Sequence, residues 1–272
     1  MAGAALVLGG CGGGQTATVR TTAPPRTSTA ATTVHPRRHR DRRSQLRESR
    51  VGWRRYTGPV PILVYHDLGT PPPTEPWPSL YTGYPVFRRE VRWLYERGYE
   101  AVTLNQLMRA WYHHGLLPRK PIVITFDNGY PPQVTFAPRV LGRLHWPAVL
   151  NEITEDHLTD AQIRHVLRLG WEVDSHSLTH PNLTALDPSQ LRAQVLDSRR
   201  FLRRTFHIPV NSFCYPSSDY DAAVIAAVRA AGYTNAVTEG NAYATRSDPY
   251  LLPRFEMTAG LSQLIDDLDE PH

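Results

Sequence analysis

Val123 to Phe126 is an apolar run that ends abruptly in Asp127, Asn128, Gly129 and Tyr130. Its β-branched and aromatic composition marks a buried strand, and Gly129 permits a tight exit turn. A carboxylate placed there sits at the C-terminal end of a strand, where α/β folds build their reactive sites. Further along, Ser175-His176-Ser177-Leu178-Thr179-His180 follows a second strand-like run. The two segments offer one base and two imidazole ligands. A divalent ion held by imidazoles polarises a carbonyl and activates water, and a nearby carboxylate can take the water's proton.

The histidine spacing alone means little. In a chain with twelve histidines, pairs at i, i+4 arise by chance, and His35 and His39 share the spacing in a stretch with no periodic pattern. The bland reading of His176 and His180 is two solvated histidines on a helix turn. Context weighs against it, because the same placement recurs. Val60 to Tyr65 runs into His66-Asp67, and Pro121 to Phe126 runs into Asp127-Asn128. Trp171 to Asp174 runs into Ser175-His176, and Val210 to Cys214 runs into Tyr215-Pro216. In a barrel of parallel strands such ends converge on one face.

The elements between these runs alternate between strand and helix. Pro85 to Arg97 reads as a helix stopped by Gly98, followed by a strand from Glu100 to Leu104. Asn105 is expected to cap a helix through Trp111. A helical stretch near Gln133 to Leu144 carries Pro138 inside it, and Ala148 to Ile153 reads as a strand. Thr159 to Gln162 has capping-box form, opening a helix that Gly170 closes. Asp187-Pro188 opens a helix to about Phe206. Asp221 to Ala231 is an Ala-rich helix ended by Gly232, and Asn235 to Thr238 is the last strand. Leu261 to His272 reads as a frayed acidic turn. This βαβα order implies an α/β fold with a parallel sheet.

Length allows one domain of about 200 residues plus an appendage. With 41% hydrophobic and 10% aromatic residues the composition is that of a globular protein. No apolar run is long enough for a transmembrane helix. Met1 to Cys11 looks like the apolar end of a secretory signal, and Leu8-Gly9-Gly10-Cys11 resembles a bacterial lipobox whose cysteine would be acylated. The absence of a basic n-region suggests a true start further upstream. Residues 12–57 are expected to form a disordered basic tether. Eleven arginines against two acids give residues 1–57 a net +9; the whole chain is +5, so residues 58–272 carry −4. The basic charge thus belongs to the tail, beside a possible anchor, and favours anionic headgroups or wall polymers over nucleic acid. If Cys11 is lipidated, Cys214 is left alone, and it reads as a buried structural cysteine.

Together these residues resemble the polysaccharide deacetylases, the NodB-homology carbohydrate esterases of family 4. The resemblance runs from about Val60 to Met257. Its pieces are Pro61 to Asp67, Thr125 to Tyr130, Ser175 to Asn182 and Ser212 to Pro216. It implies a distorted (β/α) barrel with about seven parallel strands, in a catalytic domain spanning 58–260 before an acidic tail at 261–272. It implies Asp127 as catalytic base, His66 as general acid, and the Tyr215 backbone N–H as oxyanion donor. It implies Asn128, His176 and His180 as ligands of a divalent metal, Zn with Co or Ni as alternatives, and Arg254 and Tyr130 in substrate or tuning roles.

Three departures stand out. Asn128 replaces a charged ligand with a neutral one, which should hold metal less tightly. Phe213-Cys214 stands where many members carry an arginine that tunes the base, and Arg254 is the substitute. Ser217-Ser218 replaces a common glycine, and the C-terminal Leu-x-His motif is absent. The implied activity is hydrolysis of acetamido groups on an aminosugar polymer by an exported monomer at the outer membrane face or cell wall. The alternatives are a silent polysaccharide-binding homologue and an O-acetyl esterase on a xylan-like polymer.

Overall fold

In the computed structural model, residues 52–269 are described. The leader segment with Cys11, and the expected tether as far as residue 51, lie outside the described residues. Ten strands follow in chain order: β1 Ile62–Tyr65, β2 Asp67–Leu68, β3 Tyr81–Thr82, β4 Glu100–Val102, β5 Pro121–Asn128, β6 Val149–Glu152, β7 Glu172–Ser175, β8 Ser212–Cys214, β9 Asn235–Val237 and β10 Phe255–Glu256. Seven of them run in the order β10-β1-β5-β6-β7-β8-β9, every pairing parallel, with β4 added beside β5. The result is a curled α/β sheet, the distorted barrel expected from the sequence.

The segment after β9 brings the two ends of this sheet together. Leu252 bridges Val237 on β9, and Phe255 pairs with Leu63 on β1 a few residues later. Arg254 therefore sits in the stretch that joins the two edges.

Side chains alternate across each strand because the strand period is two. Leu63, Ile124, Phe126, Leu150, Val173 and Phe213 face the outer helices in the larger core. Ile62, Val123, Val149, Cys214 and Val237 belong to a second, inner core with Leu104, Leu107, Met108 and Trp111. The helix Leu104–Tyr112 thus fills the barrel at the start of the strands, leaving the strand ends for chemistry.

Several boundaries differ from expectation for identifiable reasons. Thr103, not Asn105, caps that helix, through a capping box with Gln106. The helix expected over 133–144 splits into Pro131–Thr135 and Ala137–Leu141, because Pro138 cannot donate to the preceding turn. The helix expected to run on to Phe206 contains a π turn at Ala193–Asp197. The acidic end is a helix, Leu261–Asp269, whose Leu264 and Leu268 are buried in the main core. At the other boundary Trp53 Nε1 donates to Glu100 Oε1 at 2.7 Å and Arg54 bridges Leu117, so these two residues, expected from the sequence to lie in the tether, are held against the folded part.

Candidate active site

Asp127 points into the barrel at the end of β5 and is 1% exposed. Four donors surround its carboxylate. Arg254 grips it with two parallel bonds, Nη1 to Oδ1 at 2.9 Å and Nη2 to Oδ2 at 2.8 Å. Asn151, its register partner on β6, donates Nδ2 to Oδ1 at 2.8 Å. The Cys214 thiol donates to Oδ2 at 3.2 Å. Burial alone would raise the pKa of this acid. The guanidinium of Arg254, with His176 and His66, overcomes burial and holds it far below the usual carboxylate range. Arg254 is itself buried, and Thr238 O, Thr125 Oγ1 and Cys214 Sγ accept its remaining bonds.

His176 lies just beyond β7 and is also buried. Its Nδ1 is 2.9 Å from the Cys214 carbonyl, an arrangement in which Nδ1–H donates and Nε2 keeps its lone pair. Burial lowers its pKa to about 3. His180 returns to the same place through a loop, not a helix turn. Ser177 and His180 both adopt positive φ, and Ser177 Oγ accepts the His180 N–H at 2.9 Å. The two rings meet edge to face, 4.6 Å between centroids. Burial lowers the His180 pKa as well, and the neutral imidazole is the form that binds a metal.

Asn128 follows Asp127 with φ 76°, and its Oδ1 is buried with no hydrogen-bond partner. An orphaned amide oxygen on the residue after Asp127, together with two neutral imidazoles, has the donor types of a divalent transition-metal site. Asp127, His176 and Cys214 also bring ligand atoms within 4.8 Å of one another. Burial raises the Cys214 pKa well above that of an ordinary thiol, so its sulfur is a weak ligand, and Asp127 is committed to Arg254. His176, His180 and Asn128 are the better set.

The remaining expected residues are placed as follows. His66 ends β1, and the charges of Asp127, Arg254 and His180 all bear on it; burial lowers its pKa and Asp127 draws it back up. Asp67 Oδ1 accepts the Leu68 N–H at 2.7 Å. Tyr130 places its hydroxyl 3.4 Å from Asn128 Nδ2. The Tyr215 N–H lies in the sheet ladder, donating to Val237 O at 3.3 Å. The oxyanion donor expected there is thus already engaged, by a bond at the long end of the range.

Two positioning residues escaped sequence reasoning. Asn151 braces Asp127, although Ala148 to Leu150 running into Asn151-Glu152 is the same apolar-to-polar signal used elsewhere. Gln133 Nε2 donates to the carbonyls of His66 at 2.7 Å and Asp127 at 2.6 Å, tying the ends of β1 and β5 together. Gly129 has a visible requirement: its φ is +82°, and a Cβ there would meet Glu152 Oε1 at 2.5 Å.

The chain is similar to known proteins. The polysaccharide deacetylase family model matches residues 114–236. A putative polysaccharide deacetylase of Bacillus subtilis, YxkH, is 27% identical over 209 residues, covering 75% of this chain and 73% of its own. The poly-beta-1,6-N-acetyl-D-glucosamine N-deacetylase of Escherichia coli K12 is 39% identical over 64 residues, 24% of this chain and 10% of that protein. The Streptococcus pyogenes deacetylase PplD, solved with acetate, superposes with a TM-score of 0.72 at 21% identity, over 79% of this chain and 100% of its own. The matched segment holds Asp127, Asn128, His176, His180 and Tyr215 but neither His66 nor Arg254. Over the matched segment the chain is thus similar in sequence to polysaccharide deacetylases, and it shares the fold of the solved deacetylase structures.

Proposed function

We propose that this protein hydrolyses acetamido groups on an aminosugar polymer, with a divalent metal, Zn by its donor set, held by His176, His180 and Asn128. The observation that carries the reading is the meeting of Asp127 with the His176–His180 pair at the ends of β5 and β7. When bound, such an ion supplies Lewis acidity towards the acetyl carbonyl and a more acidic water. Asp127 is the carboxylate of this chain that would accept the attacking water's proton. Of its four donors the Cys214 thiol is the weakest, so turning the S–H aside frees a lone pair on Oδ2. Arg254 keeps the carboxylate ionised and fixed, and Asn151 sets its rotation. His66, on which the Asp127 charge bears, would protonate the departing amine. The lipobox-like Cys11 and the basic tail support a site of action outside the cell membrane, against wall or secreted polymer.

A second reading has specific support. With all its acceptor positions filled and its pKa driven down, Asp127 is a weak base, and Asn128 brings no charge to the metal. A silent polysaccharide-binding homologue would carry both features. Acetate release from peptidoglycan, chitooligosaccharides and acetyl-xylan, with and without added Zn²⁺ or Co²⁺, decides between them. Metal-stimulated release from an N-acetylated glycan is expected. Binding without release from any of the three would leave the silent reading, and release from acetyl-xylan alone would make the protein an O-acetyl esterase.

A further inference from the structure

Beside the reactive residues lies a row of aromatic side chains that the chemistry does not use. Tyr130 touches Asn128, and the Tyr130 hydroxyl in turn lies within electrostatic reach of Tyr81. Tyr81 donates its hydroxyl to Glu75 Oε2 at 3.1 Å. The other oxygen of the same carboxylate accepts the Trp77 backbone N–H at 3.2 Å. Glu75 therefore ties Tyr81 and Trp77 to each other along one flank of the site.

Trp77 is presented in an unusual way. It is 66% exposed, whereas Trp111, Trp146 and Trp171 are each at most 5% exposed. It stands in residues 69–80, the loop between β2 and β3, whose ends are pinned by the parallel pairs Asp67↔Tyr81 and Leu68↔Thr82. Pro71, Pro72, Pro73, Pro76 and Pro78 stiffen that loop, and Trp77 has a proline on each side. Proline lowers the entropy available to a loop, so the indole is held out in few conformations. A flat apolar face exposed to water, on a loop that begins a few residues after His66 and with the Glu75 carboxylate bonded to its own backbone, matches a pyranose ring. The sugar's C–H face packs on the indole and its hydroxyls donate to carboxylate oxygens.

We infer that Trp77, Tyr81 and Glu75 form a saccharide subsite that binds a sugar unit next along the chain from the one being deacetylated. This deepens the deacetylase reading and rests on it for direction. The subsite would reward chain length. A polymer or long oligomer reaches Trp77, and a small acetyl ester does not.

Kinetics of wild type, Trp77→Ala and Trp77→Tyr on chitooligosaccharides of increasing length and on a small acetyl ester test this. Retardation of each protein in a gel containing glycol chitin is a second, activity-free readout. Trp77→Ala should raise KM on the longest oligomers about five- to tenfold, a stacking contribution of about 1–1.4 kcal/mol. It should leave kcat and ester hydrolysis unchanged and lose gel retardation, with Trp77→Tyr restoring most of each. An unchanged KM on long oligomers in Trp77→Ala overturns the subsite. If wild type releases no acetate from any glycan, the deacetylase reading fails, and the gel decides alone: retardation lost in Trp77→Ala supports the subsite, and retardation equal to wild type removes it.

Discussion

Asp127 and Asp174 stand at one level of the barrel, on β5 and β7, with Asn151 between them in register. Both are almost completely buried, and both strands point them inward. Asp127 faces the Arg254 guanidinium, and its pKa falls. Asp174 faces Glu172, and its pKa rises well above the ordinary value through burial and the like charge. Asp174 Oδ1 accepts the Asn211 and Ser212 N–H groups, both at 3.0 Å. Its Oδ2 and Glu172 Oε1 are buried without partners, while Glu172 Oε2 accepts the Asn105 N–H at 2.9 Å. A single proton shared between the two acids satisfies both orphaned oxygens. Burial is the same for the two aspartates; the opposing or like charge beside each decides its state.

The comparison breaks most sharply at Asp127. Asp127→Asn removes the counter-charge of a buried guanidinium and places an N–H₂ among donors. A loss of about 3–5 kcal/mol in unfolding free energy is expected, with turnover reduced at least about a hundredfold. Metal content should persist, because the imidazoles are untouched. Urea titration, acetate release and metal analysis check the three parts. Near-wild-type stability would mean that Arg254 does not depend on this carboxylate.

Glu90 is a third buried carboxyl and sharpens the contrast, since it lies in the outer core. It is 0% exposed, takes the Tyr65 hydroxyl on Oε2 at 3.0 Å, and leaves Oε1 without a partner. Burial raises its pKa to about 7. Below about pH 4.5 folded and unfolded forms are both protonated and the group costs nothing. As pH rises towards 7 the unfolded chain alone ionises, so stability falls across that window and levels off above it. The full effect is at most about 3 kcal/mol. Glu152, with its pKa raised by burial to about 8, slopes in the same direction. Glu90→Gln should shrink the drop in unfolding free energy between pH 5 and pH 8. An identical drop in the variant would show that Glu90 ionises normally.

His66 measures how far the charge on Asp127 carries into the site. His66→Ala should lower kcat at least about tenfold and leave metal content unchanged. If activity survives with both limbs of its pH profile unaltered, His66 is not the acid.

Local signals made most of this site legible. Apolar runs ending in His66, Asp127, His176 and Tyr215 marked the strand ends, and the parallel sheet brought the first three together. What stayed hidden depends on register between strands distant in sequence. Asn151 contacts Asp127 only because β5 and β6 pair Asp127 with Asn151. Arg254 was readable only as a substitute, and its reach follows from the 249–256 segment closing the sheet. The Tyr215 N–H was assigned by resemblance, and its engagement by Val237 is set by the β8–β9 ladder. β2 and β3, two residues each, are too short to show any period. The C-terminal helix looked frayed because its acidic residues outnumber the two leucines that anchor it.

The smallest effect is expected where the same substitution meets the opposite surroundings. Asp174→Asn keeps an oxygen for the Asn211 and Ser212 N–H groups. It also turns an amide N–H towards Glu172 Oε1, where the shared proton otherwise sits. Nothing charged is orphaned, so stability near pH 6 should stay within about 1 kcal/mol of wild type. At higher pH the sign reverses in the variant's favour. Asp174 has its folded pKa raised, so wild-type stability falls as pH rises from the ordinary carboxylate range towards the folded value and levels off above it, whereas an amide cannot ionise. Unfolding curves of both proteins at pH 6 and pH 9 read this directly. A large loss at pH 6, comparable to that of Asp127→Asn, would mean that Asp174 is ionised and paired with a cation. The difference between the two aspartates would then not lie in their neighbours' charge.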